Sequence, residues 1–414
     1  MATTHAHKAP HRTRARESHK GVEPGPNLPD FLWSVGEESS DPWVLNHGQP
    51  QRIDQLALSG HLQNQPSDLL DIASLGVKHV RYGMPWRLAE PQPGHYDWRQ
   101  WDAALAACDA AGLIPIIDLL HFGQPDFCHG YEDPAWIAHF VRYVEAFLAR
   151  YPALHYFTAV NEPAWTALTA GYLGVWNDRK ASEEAYARIL ANTTLANLEA
   201  LNRIDHDREN LWLSAETFNI QVPLSREFHS ECERRRSLGW IVWDLHLGLE
   251  PDEHGEAFLK AVNPETLQRI RALARNDRLL AGHDIYPMNF QFFGGDAPNL
   301  SARERVALYE QDARLWYARY QAPIWISETS NFGLPILQQS EWLDELMAAV
   351  RRMRADGIPV NGLCWYSRAD QYDWQTLLTN PTGQVTEVGL FDSNRNARPV
   401  AAHFADYVRR GKPD

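Results

Sequence analysis

The sequence predicts an α/β protein built as a single (β/α)8 TIM barrel, and three observations carry this prediction. Short runs of β-branched or aromatic residues, each followed by a helical pattern, recur eight times along the 414 residues. Several runs are continuously apolar, as is typical of strands buried on both faces of a parallel sheet. Neither an internal repeat nor a Gly/Ser-rich linker interrupts residues 29–414, so we expect one domain there.

Each strand candidate is short and bounded by polar or turn-forming residues. The candidates are Phe31–Gly36, Val77–Tyr82, Ile114–Leu120, Tyr156–Val160, Leu211–Ala215, Gly282–Tyr286, Ile324–Ser327 and Gly362–Tyr366. Helical patterns lie between them, and the clearest one starts after Asp133 and Pro134, an N-cap and first-turn pair. Further amphipathic stretches cover residues 98–111, 183–203, 301–320 and 341–355.

The connection between the fifth and sixth strand candidates, from about residue 217 to 280, is too long for one simple crossover. It contains two helical patterns, Arg235–Leu247 and Pro264–Ala274. We therefore expect an enlarged segment that covers one rim of the barrel.

Residues 1–28 are rich in His, Arg and Pro and contain no apolar core of a secretory signal. We expect a disordered tail, and a metal-binding His tract is the alternative. The four cysteines have no paired close spacing, which predicts free thiols in a reducing, cytoplasmic compartment.

The charge and hydropathy of the chain exclude two classes of partner. A formal net charge of −14, without a basic stripe, opposes binding to nucleic acid. No apolar run approaches the roughly 18 residues of a membrane span, so we expect no membrane partner. The oligomeric state is left open.

Polar residues cluster where the strand candidates end. In chain order these residues are Glu37, Glu38, Arg81, His121, Asn161, Glu162, Glu216, Tyr286, Glu328 and Trp365. The carboxyl ends of barrel strands meet at one rim, where the active sites of this fold lie. Because buried carboxylates are costly unless paired or functional, several Glu residues at one rim predict a site.

Cleavage of a glycosidic bond requires two carboxyl groups, one to protonate the leaving oxygen and one to support the positive anomeric centre. Glu162 follows the fourth strand candidate and Glu328 the seventh, which lie across the barrel from each other. A separation of roughly 5 Å would predict retention of configuration, and roughly 6.5–9.5 Å would predict inversion.

The order of the motifs resembles glycoside hydrolase family 1, the β-glucosidase group, from Phe31 to about Asp392. The motifs that carry the resemblance are Phe31-Leu32-Trp33, Arg81-Tyr82-Gly83, Leu120-His121-Phe122-Gly123-Gln124-Pro125, Val160-Asn161-Glu162-Pro163, Ile285-Tyr286, Ile326-Ser327-Glu328, Trp365-Tyr366-Ser367 and Asp370-Gln371-Tyr372-Asp373-Trp374. Each motif alone is weak, but their joint order at successive strand ends is specific.

The resemblance implies a role for each matching residue. Glu162 would be the acid/base and Glu328 the nucleophile, with Arg81 keeping Glu328 ionised and Tyr286 orienting it. Asn161 would hold the sugar 2-hydroxyl. The remaining residues would bind substrate: His121 and Trp365 in the glycone pocket, the Trp as a stacking floor, with Asp373 and Trp374 following in a loop.

The chain departs from the family pattern around the sugar. Glu37-Glu38-Ser39-Ser40-Asp41 stands where the family has a Gln that binds sugar hydroxyls, which makes Glu38 a candidate contact. Asp373-Trp374 replaces Glu-Trp, and Thr329-Ser330 replaces Asn-Gly after the nucleophile. These changes predict a rebuilt pocket, so the identity of the sugar is not carried over.

Glu216 has no counterpart in the resemblance. Its carboxylate could bind a sugar hydroxyl, bind an amino substituent, or pair with an arginine such as Arg226. A further cluster, His121, Asp126, Cys128 and His129, matches no common metal-ligand spacing, and we expect neither a metal nor a cofactor.

The sequence therefore predicts a retaining exo-β-glycosidase that acts on small glycosides or oligosaccharides by double displacement. A transglycosylase would use the same glycosyl-enzyme with a different acceptor. A non-catalytic sugar-binding barrel is the third hypothesis.

Overall fold

The computed structural model describes residues 29–204, 210–275 and 278–413. Within these ranges eight parallel strands close into a barrel, which confirms the predicted fold class. The barrel strands are β1 (Leu32–Glu37), β2 (His79–Gly83), β3 (Ile114–Asp118), β4 (Tyr156–Thr158), β5 (Leu211–Leu213), β6 (Leu279–Asp284), β7 (Ile324–Thr329) and β8 (Val360–Tyr366). The tail predicted for residues 1–28 lies outside the described residues.

The strands follow one another around the barrel in chain order, and β1 closes the ring by pairing with β8. In that closing pair Leu32 lies beside Gly362 and Gly36 lies beside Tyr366. The largest difference from the prediction is in β6, which begins at Leu279 and ends at Asp284 instead of spanning Gly282–Tyr286. Asp284 thus stands at the rim.

Helices surround the barrel, and one of them follows most strands. The longer helices are α1 (His61–Ser74), α2 (Arg99–Ala111), α3 (Ala135–Arg150), α4 (Glu183–Ile204), α5 (His229–Leu247), α6 (Pro264–Leu273), α7 (Ala302–Tyr320), α8 (Gln339–Ala355) and α9 (Pro399–Arg410). Shorter helical segments are Gln55–Leu58, Trp86–Ala89, Pro163–Ala167, Leu168–Tyr172, Arg226–Phe228, Glu253–Leu259, Ile336–Gln338 and Trp374–Thr376. Among the helices of the described ranges, none is long and apolar enough to cross a membrane.

In the described part of the chain, six short strands lie outside the barrel and pair two by two: Trp43–Asn46 with Gln49–Arg52, Ile220–Pro223 with Phe290–Phe293, and Gln371–Tyr372 with Val385–Thr386. The second pair joins the segment after β5 to the segment after β6. The first strand of that pair, Ile220–Pro223, together with α5 and α6, belongs to the enlarged connection that the sequence predicts over residues 217–280.

The pleat of each strand separates two hydrophobic clusters. In β8, Leu363 and Trp365 pack outward against the helices, whereas Cys364 and Tyr366 point into the barrel. Alternate residues of a strand face opposite sides, so a shift of one residue moves a side chain from the helix layer to the interior. This alternation decides which predicted residues reach the rim.

Candidate active site

A cavity of about 360 Å³ opens at the carboxyl ends of the strands. Of the residues predicted for the site, those that line this cavity are Glu38, His121, Glu162, Tyr286, Glu328 and Trp374. Arg81 and Asn161 are buried directly behind them and bond to Glu328 and His121. The polar residues of several strand ends therefore converge, as expected for this fold.

Glu328 lies near the end of β7, where the pairing with β6 is irregular. Trp325 pairs with Gly282 and Glu328 pairs with Asp284, so three steps on β7 match two on β6. Such a bulge redirects a side chain, and here Glu328 lines the cavity. One carboxylate oxygen of Glu328 accepts a hydrogen bond from Arg81 Nη1, and the other accepts one from the Tyr286 hydroxyl at 2.8 Å.

Arg81 is the buried cation of the site. Its Nη2 donates to Asp118 Oδ2 at 2.7 Å and to Asn161 Oδ1 at 2.5 Å, and its guanidinium lies 5.2 Å from the centre of the Tyr366 ring. Burial lowers the pKa of Arg81, but the negative charges of Asp118 and Glu328 raise it by a larger amount, so the pKa lies well above its ordinary value. The positive charge opposite Glu328 is therefore permanent.

Asp118, which the sequence analysis missed, connects two residues of the site. It ends β3 and accepts hydrogen bonds from both Arg81 and His121 Nδ1, the latter at 2.9 Å. Because a carboxylate only accepts hydrogen bonds, the Nδ1 of His121 carries a proton. Burial lowers the pKa of His121, but Glu38 and Asp118 outweigh this effect and raise it.

The other ring nitrogen of His121 faces the cavity side. His121 Nε2 lies 3.1 Å from the amide nitrogen of Asn161 and 3.5 Å from a carboxylate oxygen of Glu38. Burial is the main cause that raises the pKa of Glu38, and the nearby Glu328 adds to it. Glu38 and His121 thus form a polar end of the cavity, with Asn161 bonded behind them.

Glu162 occupies a different environment from Glu328. It has a left-handed backbone (φ 41°), precedes Pro163, and begins the short helix Pro163–Ala167. Its side chain accepts a hydrogen bond from the Thr217 hydroxyl, and no ion pair holds it among the described residues. Burial raises the pKa of Glu162 well above its ordinary value, and Glu328 raises it further. This higher pKa favours the protonated form of Glu162.

Glu162 and Glu328 share the site with a third buried carboxyl group, Asp284. One oxygen of each of these three residues lies within 4.8 Å of the others. The Ser327 hydroxyl donates to Asp284 Oδ1 at 2.5 Å, whereas Oδ2 has no donor within reach. Burial, then Glu328 and Glu162, raise the pKa of Asp284 well above its ordinary value.

The same three oxygens are close enough together to hold a metal ion. An all-carboxylate donor set would suit a hard divalent cation such as Mg²⁺, Ca²⁺ or Mn²⁺. That ion would stand between the two carboxylates that the sequence assigns to catalysis. The expectation that the site works without a metal remains a prediction.

The structure corrects the predicted position of Trp365. Its side chain is fully buried in the helix layer, where it contacts Phe404, and its indole N–H donates to Val388 O at 3.1 Å. The next residue, Tyr366, points into the barrel and stacks on His121 with ring centres 6.1 Å apart. Alternation along β8 therefore assigns the inward position to Tyr366 and excludes Trp365 as a stacking floor.

Glu216 and Asp373, which the sequence predicts as substrate contacts, bond to backbone N–H groups. Glu216 accepts hydrogen bonds from the N–H groups of Ala164 and Thr217, both at 3.0 Å, and does not pair with Arg226. It therefore anchors the start of the helix that follows Glu162. Burial is the main cause that raises the pKa of Glu216 to about 8.

Asp373 holds a loop. Its carboxylate accepts hydrogen bonds from the backbone N–H groups of Thr382, Gly383 and Gln384 at 2.9–3.0 Å. These bonds outweigh the effect of burial and lower the pKa of Asp373. Its neighbour Trp374 lines the cavity and packs edge-on against Tyr286.

Comparisons with solved structures agree on the architecture. The GH1 β-glucosidase from Exiguobacterium antarcticum B7 superposes with a TM-score of 0.77 and 14% sequence identity, over 92% of this chain and 98% of that one. The family 1 β-glucosidase from Thermotoga maritima gives a TM-score of 0.75 at 13% identity, over 94% and 99% of the two chains. Its complex with deoxynojirimycin has the same similarity. The fold implied by the motif resemblance is thus confirmed.

Comparisons of sequence are weaker. No known family profile matches the chain. Klotho from Mus musculus is 22% identical over 345 residues, which cover 76% of this chain and 34% of that protein. The chain thus spans about a third of the length of this relative.

Proposed function

We propose that the protein is a glycoside hydrolase that cleaves β-glycosides with retention of configuration. The observation that carries this proposal is the short separation of two unlike carboxyl groups, since an oxygen of Glu162 lies within 4.8 Å of one of Glu328. Retaining enzymes hold their two carboxyl groups about 5–5.5 Å apart, and inverting enzymes need about 6.5–9.5 Å to admit water.

The two environments suit two different roles. Glu328 faces a permanent cation, Arg81, and accepts a hydrogen bond from Tyr286, which supports a carboxylate nucleophile. Glu162 has no such cation and its pKa is raised, which supports a general acid. One carboxyl group beside a cation and one without a cation is the arrangement that nucleophile and acid require.

The reaction proceeds in two displacements. Glu162 gives its proton to the glycosidic oxygen while a Glu328 oxygen attacks the anomeric carbon, so the C–O bond to the leaving group breaks and a glycosyl ester forms. Glu162, now ionised, takes a proton from water, whose oxygen attacks the same carbon and releases Glu328. Two inversions give net retention.

Residues around this pair support binding of a terminal sugar. Glu38 and His121 present polar atoms to the cavity with Asn161 behind them, and Trp374 offers an aromatic surface for the CH groups of a sugar ring. We propose that one terminal sugar unit binds there, so that the enzyme removes one residue from the chain end. The identity of that sugar follows from assays with aryl glycosides that vary sugar and anomer.

The test is hydrolysis of aryl β-glycosides by the wild type beside Glu328→Ala and Glu162→Ala. We expect Glu328→Ala to lose at least about 10⁴-fold in kcat, since it removes covalent catalysis. Glu162→Ala is expected to lose most on poor leaving groups and to regain activity with azide, giving a β-glycosyl azide. The exposed Glu341→Ala on α8 is the matched control and keeps wild-type rates.

Several outcomes would contradict this proposal. Equal rates for wild type and Glu328→Ala would remove the nucleophile assignment, and an α-glycosyl azide from Glu162→Ala would remove the acid/base assignment. Selective cleavage of α-glycosides would contradict the substrate class. Product analysis with an added sugar or alcohol distinguishes hydrolysis from transglycosylation, and binding without turnover would indicate the sugar-binding barrel.

A further inference from the structure

The segment that follows Glu162 lines the cavity with apolar side chains. Trp165, Leu168 and Tyr172 are spaced by three and four residues along the helical run from Pro163 to Tyr172 and all contact the cavity, as does Leu173. Tyr172 and Leu173 are 41% and 46% exposed. Large apolar side chains exposed beside a cavity are typical of a surface that binds a ligand.

Other elements extend this apolar wall. They contribute Leu238 and Trp240 from α5, Met288 and Phe332 from the loops after β6 and β7, and Leu377 and Leu378 from the loop after β8. The enlarged connection between β5 and β6 thus has a direct structural effect, because α5 brings its side chains over the cavity.

Several polar side chains of the same region are bonded to other side chains, while Gln221 Oε1 has no donor. Asn289 donates to Asn219 at 3.1 Å. Arg234 and Arg235 both donate from Nε to Glu231, at 3.0 and 2.6 Å. A second sugar unit would need free hydrogen-bonding groups for its hydroxyls, whereas an apolar group would not.

The position of Glu162 identifies which side of the bond this wall touches. A general acid protonates the leaving oxygen, so the leaving group lies beside Glu162, and the wall begins three residues after it at Trp165. Resting on the function proposed above, we infer that the preferred substrates carry an apolar aglycone, an aryl or alkyl group, in place of a second sugar.

The test has a binding measurement that does not need turnover. Calorimetric titration of Glu328→Ala compares n-hexyl β-D-glucopyranoside, below its micellar concentration, with cellobiose, which shares the same glycone. We expect the hexyl glucoside to bind at least about tenfold more tightly. Equal or tighter binding of cellobiose, or binding of neither compound, overturns the inference.

The kinetic test uses alkyl β-glucosides from methyl to octyl with the active enzyme. We expect kcat/KM to rise with chain length by at most about fourfold for each fully buried methylene. Leu168→Gln and Leu173→Gln should each flatten this rise, whereas Leu315→Gln should not, since Leu315 on α7 is as exposed as Leu173 but lies outside the cavity lining. If kcat/KM rises with chain length equally in all three variants, the apolar wall does not contact the alkyl group.

The two measurements separate the failure of this inference from the failure of the proposed function. If no aryl or alkyl glycoside is hydrolysed, the function fails while the titration still decides the ligand class. If aryl glycosides are hydrolysed and cellobiose is preferred over alkyl glucosides, the function stands and the apolar aglycone is excluded.

Discussion

The carboxyl group of Asp284 lies within 4.8 Å of that of Glu162, and the charge of Glu162 raises the pKa of Asp284. Two ionised carboxylates this close repel each other, so ionisation of one makes the other hold its proton more tightly. The charged groups around Asp284 are Glu328, which raises its pKa, and Arg81, which lowers it. Tyr286 and Glu216 also face it, with Ser327 donating to one of its oxygens.

This pair predicts that Asp284 keeps a proton available to Glu162 as the pH rises. Interacting acids lose their protons in two steps, and the second step lies above the pKa of either acid alone. Asp284→Asn removes the second acid, so we expect the basic limb of the kcat/KM profile to move to lower pH by about one unit or more. Activity at the acidic end should change by a few-fold at most.

The matched control for this profile is Asp244→Asn. Asp244 is also a buried aspartate, but it pairs with Arg319 between outer helices at 2.7 Å. The control should leave the basic limb where the wild type has it. An unchanged basic limb in Asp284→Asn would show that Asp284 does not share the proton of Glu162.

Asp118 predicts a combined effect on stability and catalysis. It is buried and accepts hydrogen bonds from Arg81 and His121, so its removal leaves a buried cation with one charged partner fewer. We expect Asp118→Asn to lower the free energy of unfolding by about 3 kcal/mol. The loosened Arg81 should also lower kcat by up to about 100-fold.

Urea unfolding and steady-state kinetics measure the two effects. Asp126→Asn is the control, because Asp126 bonds to Arg52 at 2.6 Å but is 77% exposed. Its loss should change stability by less than about 1 kcal/mol. If Asp118→Asn changes the free energy of unfolding by a similarly small amount, the position of Arg81 does not depend on Asp118.

Trp365 and Trp374 are expected to respond in opposite ways to substitution. Trp374 lines the cavity, so Trp374→Ala should lower kcat/KM by about tenfold or more. Trp365 belongs to the helix layer, so Trp365→Phe should lower Tm while the folded variant keeps kcat/KM within a few-fold. Lost activity with an unchanged Tm in Trp365→Phe would contradict its position in the core.

These residues also indicate how far the sequence could predict the site. The barrel was predictable because eight buried strands with intervening helices leave a strong periodic pattern. Successive side chains of a strand point to opposite faces. A motif that is matched one residue out of register therefore assigns its aromatic residue to the wrong face, as happened with Trp365. Only the pairing of β8 with β1 and β7 fixes which residue points inward.

Strand ends were the other source of error. Asp284 was assigned to the interior of a strand over Gly282–Tyr286, whereas β6 ends at Asp284, so its carboxyl group belongs to the rim. Asp118 was hidden in the same way inside Ile114–Leu120, because β3 stops four residues after its start. Strand boundaries depend on pairing with neighbours far away in the chain, which apolar periodicity does not report.

Glu216 leads to a prediction about stability and pH. Burial raises its pKa from 4.5 to about 8, so the folded protein holds this proton more tightly than the unfolded chain. The stabilising contribution is complete below about pH 4.5 and is lost as the pH rises towards 8. Glu216→Gln cannot ionise and retains one acceptor for the Ala164 N–H, so it avoids this loss.

We therefore expect Glu216→Gln to gain stability relative to wild type between pH 5 and pH 8. Part of this pH range lies between the pKa of Glu216 in the unfolded chain and its pKa in the folded protein. The gain should approach about 1.4 kcal/mol for each pH unit of that part. Urea unfolding at both pH values measures it, and the exposed Glu341→Gln on α8 serves as the control with a constant difference. A constant difference in Glu216→Gln as well would mean that Glu216 ionises equally in the folded and unfolded states, against the burial that separates it from water.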